Sequence, residues 1–210
     1  MQLVTTVAGD CIVDTVQTIT PWMAKTIKDK GYMGVLRYVT SVQPEELGNC
    51  FAVGLAMGFV TYANDLAVFT QAHALMSRLG TPKGHHVFLD IEGASKHAAW
   101  QATDPRDVSW QMAAERAWCE AILGMGYVPA RYAGADQRLT GREQYLLPHR
   151  LYWHACSDVR DRNGAESVPD CSYAMYQDTH YNQTLAPGLV VDVNAVVGDM
   201  TGRTPILVGA

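Results

Sequence analysis

Short apolar runs alternate with amphipathic segments along this chain, and that alternation constrains its fold more than any other feature. Cys11-Ile12-Val13-Asp14 is an apolar run that ends in an acid. Thr20 and Pro21 then open a helix-like stretch to Lys30, with Thr20 as N-cap, Pro21 at the first position and Gly31 as the stop. Gly34 to Val39 reads as a second strand, Pro44-Glu45-Glu46-Leu47 opens a second helix, and Gly58 to Tyr62 reads as a third strand. Leu66 to Leu79 is amphipathic and ends at Gly80-Thr81-Pro82. His86 to Glu92 is the clearest strand, apolar at its start and acidic at its end, and Val108 to Met125 is a long helix closed by Gly126. Val128 to Tyr132, Arg150 to His154, Tyr173 to Gln177 and Val190 to Val193 bring the strands to eight.

Strands separated by helices indicate parallel βαβ units, and eight of them suggest a closed barrel. The expected fold is therefore α/β, a single-domain (β/α)8 TIM-type barrel over residues 1–210. At 210 residues such a barrel is irregular, with some helices short or missing. Gly134 to His149 has room for a helix, whereas no convincing helix follows Asp158. No linker or repeat divides the chain.

The chain has 16 Lys and Arg against 21 Asp and Glu, a net charge of −5, which argues against a nucleic-acid partner. No apolar run reaches the roughly 18 residues of a membrane span, and Met1 to Asp10 lacks the pattern of a signal peptide. Five cysteines at wide spacings form no CxxC pair, so free thiols are expected.

In barrels of this kind the active site lies at the C-terminal ends of the strands. Acids fall there: Asp14 after the first strand, Asp90 and Glu92 on the fourth, Asp192 on the eighth. Residues i and i+2 of a strand share a face, so Asp90 and Glu92 point the same way, about 6–7 Å apart at Cα. Two carboxylates so close raise the pKa of one, and a carboxyl that keeps its proton near neutral pH is the general acid of glycoside hydrolysis. The first and last strands become neighbours on closure, which brings Asp14 and Asp192 to the same place. Tyr38, Tyr62, Tyr132, Trp153 and Tyr176 sit near strand ends and suit stacking on pyranose rings, or else barrel packing. Arg37, Arg131 and Gln177 suit acetamido or lactyl oxygens, and His154 is expected to line the pocket. His85 and His86 precede the fourth strand and read as structural.

Taken together, Ile12-Val13-Asp14, Val87-Phe88-Leu89-Asp90-Ile91-Glu92 and Val190-Val191-Asp192-Val193-Asn194 resemble the family 25 glycoside hydrolases, the Chalaropsis-type lysozymes common as phage endolysins and bacterial muramidases. The chain is most similar to their glycoside-hydrolase-like relatives of the DUF1906 group, in which Thr20-Pro21, a helix, Gly31-Tyr32 and a strand ending Arg37-Tyr38 follow the opening segment. The resemblance spans about Cys11 to Val197. It implies cleavage of the β-1,4 bond between N-acetylmuramic acid and N-acetylglucosamine in bacterial peptidoglycan. Glu92 matches the general acid, Asp90 the carboxylate beside it, and Asp14 and Asp192 acids of the same pocket. It implies no cofactor and no metal, a monomer, and an endolysin made in the host cytoplasm and released to the wall through a holin pore. Two readings compete with it: a barrel that binds cell-wall glycan without hydrolysing it, and a metal-dependent hydrolase using Asp14, Asp90, Glu92, Asp192 and His154.

Overall fold

A computed structural model describes residues 1–62, 74, 76–91, 107–134, 138–179 and 182–210. Eight strands close a barrel: β2 (Cys11–Thr15), β3 (Gly34–Tyr38), β4 (Ala56–Tyr62), β5 (His86–Asp90), β6 (Val128–Ala133), β7 (Leu151–His154), β8 (Met175–Gln177) and β10 (Leu189–Val196). β2 through β8 run parallel in sequence order. β10 closes the ring between β8 and β2, antiparallel to both. A parallel eighth strand was the expectation from the alternation, and the structure corrects it. Among the described residues no helix lies between β8 and β10; the strand β9 (Gln183–Ala186) forms a hairpin with β10, and a hairpin necessarily reverses the chain.

The four helices described over their full length follow their local signals. In α1 (Pro21–Asp29), the Thr20 side chain accepts from the Met23 N–H, and Gly31 takes φ +90 just beyond the end. In α2 (Pro44–Phe51), Glu46 reaches back to the Gln43 N–H. The long helix is α3 (Ser109–Gly124), and α4 (Gly141–Tyr145) is a short turn capped reciprocally by Thr140 and Glu143. Among the described residues no helix follows Asp158, as expected. The helix expected over Leu66 to Leu79 falls mostly outside the described residues.

Two apolar layers result from the strand period of two. Inside the barrel, Ile12, Leu36, Val60, Phe88, Ala130, Leu151 and Met175 pack together. Outside, Val13, Val35, Phe59, Val87 and Leu89 pack against Ala24 and Ile27 of α1, Leu47 and Cys50 of α2, and Trp118, Cys119 and Ile122 of α3. Burying each large aliphatic or aromatic side chain contributes about 1.5–3 kcal/mol. At the end of the barrel where the parallel strands begin, β11 (Ile206–Gly209) meets β4 and pairs with β1 (Gln2–Thr5). Leu207 enters the interior there against Gly58, where an added Cβ would lie 2.8 Å from its methyl group. All five cysteines are free thiols, three of them buried.

Candidate active site

The mouth of the barrel is lined by the inward residues at the C-terminal ends of the parallel strands. Tyr62, Asp90, Tyr132 and Trp153 are register partners across β4, β5, β6 and β7, so they form one level of the wall. Three adjoining cavities of about 300, 350 and 360 Å³ open here, and Tyr38 lines all of them. The first two share Asp14 and Asp192; the third is bounded by Val16, Tyr62 and Asp90. They run together into one groove across the mouth.

The reversed direction of β10 decides where Asp192 lies. It sits in the N-terminal half of its strand, not at a C-terminal end as expected, and that half is the one at the mouth. Asp192 and Asp14 are direct register partners across the antiparallel ladder, with Cβ atoms roughly 4.5–5.5 Å apart on the same face. Two anions so placed need compensating donors. The Gln177 Nε2 donates to Asp192 Oδ2 at 2.9 Å, and the Asn182 N–H donates to Oδ1. Asn194 Nδ2 donates to Asp14 Oδ2 at 2.7 Å. Gln177 is oriented in turn by the Tyr132 hydroxyl, which donates to its Oε1 at 2.7 Å. On the far wall the Tyr38 hydroxyl donates to Asp90 Oδ2 at 3.1 Å. Trp153 packs on Tyr132 with ring centroids 4.3 Å apart, and its buried indole N–H meets no acceptor among the described residues.

The expected residues thus divide. Asp14, Asp90, Asp192, Tyr38, Tyr62, Tyr132, Trp153 and Gln177 line the groove. Glu92 lies outside the described residues. Arg37, His154 and Tyr176 do not face the groove, and each fails for the same reason. Each is the chain neighbour of an inward residue, and neighbours on a strand face opposite ways. Arg37, beside Tyr38, is fully buried on the outer side, where its Nε meets Glu46 Oε2 at 2.7 Å and its Nη1 donates to the Thr15 carbonyl. His154, beside Trp153, stacks outside on Tyr176 with centroids 5.2 Å apart. Tyr176, beside Gln177, is 38% exposed on that outer face. Arg131 is likewise outside, bound to Glu115 of α3 at 2.8 Å. With His154 turned away, the proposed oxygen-rich metal set loses its imidazole, and no metal-holding group of His, Cys, Asp or Glu occurs among the described residues.

Several groove residues were absent from the sequence reading. Thr15 and Gln17 tie the β9–β10 hairpin to the end of β2. Thr15 Oγ1 donates to the Val190 carbonyl, Gln17 Nε2 to the Gly188 carbonyl, and Gln17 Oε1 accepts from the Val190 N–H. Asn182 carries φ +55, a left-handed conformation that Asn tolerates, and this turns its N–H toward Asp192. Only Asn194 carried a usable signal, being two positions from Asp192 on one strand face.

No protein-family profile matches the chain, and no curated protein matches it either. Solved structures do. A family 25 glycosyl hydrolase from Bacillus anthracis matches with a TM-score of 0.57 and 11% identity, over 92% of this chain and 91% of that one. The fold is that of the family 25 glycosyl hydrolases. The modular Cpl-1 endolysin complexed with a peptidoglycan analogue has a TM-score of 0.57 at 14% identity. In complex with a tetrasaccharide-pentapeptide, a variant of the same endolysin scores 0.55 at 15%. This chain spans 56% of the Cpl-1 length, so the family 25 barrel is one part of that protein. The eight-stranded barrel described here matches that fold.

Proposed function

We propose that this chain is a peptidoglycan hydrolase of the lysozyme type, cleaving the β-1,4 bond from N-acetylmuramic acid to N-acetylglucosamine. The observation that carries this reading is the convergence of Asp14, Asp90 and Asp192 in a groove walled by Tyr38, Tyr62, Tyr132 and Trp153. Aromatic faces suit the apolar faces of sugar rings. Fixed carboxylates stabilise the positive charge that develops on the ring as the glycosidic bond breaks. Glu92, two positions beyond Asp90 in the chain, is the general acid of this scheme. It delivers its proton to the leaving oxygen as the C1–O bond breaks; water then supplies the new hydroxyl at C1, and its other proton restores the acid form of Glu92. Asp90, tied by the Tyr38 hydroxyl, is the carboxylate beside it, and Asp14 and Asp192 supply fixed negative potential.

That Cpl-1, which shares this fold over part of its length, is known in complex with a peptidoglycan analogue adds support. The chain then works as a monomer on the bacterial wall, reaching it as an endolysin through a holin pore. Turbidity loss of purified walls, followed by mass spectrometry of the fragments, tests the reading. New reducing ends on N-acetylmuramic acid are expected. Reducing ends on N-acetylglucosamine, or intact walls, would overturn it.

A further inference from the structure

We propose that Asn194 is a positioning residue that holds Asp14 as an ionised carboxylate at the floor of the groove. The inference rests on the hydrolase reading for its purpose, but on geometry for its substance. Asn194 is fully buried on β10, and its backbone is fixed on both sides, opposite Ile12 of β2 and Gln177 of β8. Its Nδ2 donates to Asp14 Oδ2 at 2.7 Å, while its Oδ1 is buried and meets no donor among the described residues. The amide can sit only this way round, because a turned amide would set its carbonyl oxygen against the carboxylate.

A buried carbonyl without a donor costs stability, and an apolar residue would fill this place beside Ile12 and Leu36 without that cost. The floor therefore carries a polar side chain whose one satisfied contact is with Asp14. A donor to the carboxylate favours its charged form. The Asp192 carboxylate close by works the other way. Asp192 of β10 stands directly opposite, and Tyr38 of β3 lines the same cavities with its hydroxyl turned to Asp90 of β5. The two anions are thus served by separate amides, Asp192 by Gln177 and Asp14 by Asn194.

The test is a carboxyl-carbon NMR titration of Asp14 in the wild type, Asn194→Ala and Asn194→Asp, alongside thermal melting and wall lysis. The Asp14 midpoint should move to higher pH by about one unit in Asn194→Ala, and further in Asn194→Asp, where a second acid replaces the donor. Lysis should lose its acidic limb in the same order. A purely structural role would lower melting without that order. An unchanged Asp14 midpoint in a folded variant overturns the proposal. Should the midpoint move while wild-type protein leaves walls intact, Asn194 keeps its assignment and the hydrolase reading fails alone.

Discussion

At the scale of single residues, the groove separates acids by what surrounds them. Asp192 has both oxygens occupied, by the Gln177 amide and the Asn182 N–H. In Asp192→Asn one oxygen becomes an NH2 that faces one of these donors. Lysis and melting temperature should both fall, with a smaller loss of rate than at Glu92; normal turnover in the folded fraction would leave Asp192 a structural pin alone. Glu92→Gln keeps the side-chain shape but carries no transferable proton. Its lysis rate should drop by about 10²–10⁴ with unchanged melting, the usual loss for a general acid. A fully active, normally melting variant would remove Glu92 from the mechanism.

At the scale of elements, the sequence was legible wherever a local signal fixed the structure. Thr20-Pro21 and Gly31 bracket α1, and the eight barrel strands stand where apolar runs predicted them. Direction was not legible, because an apolar run reads alike both ways; only the hairpin after Gln183 shows that β10 returns antiparallel. The errors at Arg37, His154 and Tyr176 came from treating strand ends as points instead of two-sided ribbons. Period two applied to Arg37-Tyr38, Trp153-His154 and Tyr176-Gln177 allows one inward residue per pair. Two outward arginines instead join helices to the barrel, Arg37 through Glu46 and Arg131 through Glu115. Glu115 of α3 accepts from Arg131 and Gln111 and contacts His149 at 3.0 Å, all buried. Burial alone would raise its pKa, but the Arg131 guanidinium and His149 outweigh that and hold it down to about 2. Glu115→Gln removes the carboxylate that balances the buried Arg131 charge, so urea unfolding should show a loss of about 3–5 kcal/mol. Turnover per folded molecule should stay unchanged, since the groove lies on the other side of β6.

At the scale of the molecule, stability depends on acid. Burial pushes His85 and His86 down from 6.5 to about 4, so both are neutral in the fold. The unfolded chain takes up their protons near pH 6.5, the folded chain only near 4. Their contribution is therefore full above about pH 6.5 and is lost as pH falls to 4, roughly 3 kcal/mol per histidine. Glu115 adds a further loss between 4.5 and about 2. Melting temperature should stay level with respect to these groups above pH 6.5 and fall steeply from there to pH 4; a level curve would mean the imidazoles are not desolvated. The closure of the barrel has a kinetic consequence as well. Asp14 and Asn194 are 180 residues apart in the chain, and β2 and β10 meet only when nearly everything between them is in place. Contacts of such sequence separation make folding slow, because the loop entropy is lost before they form. Until then two bare strand edges face solvent and can pair with those of other chains. Refolding from urea should accordingly be slow, with a yield that declines as protein concentration rises, while the closed barrel, having joined those two edges to each other, stays monodisperse.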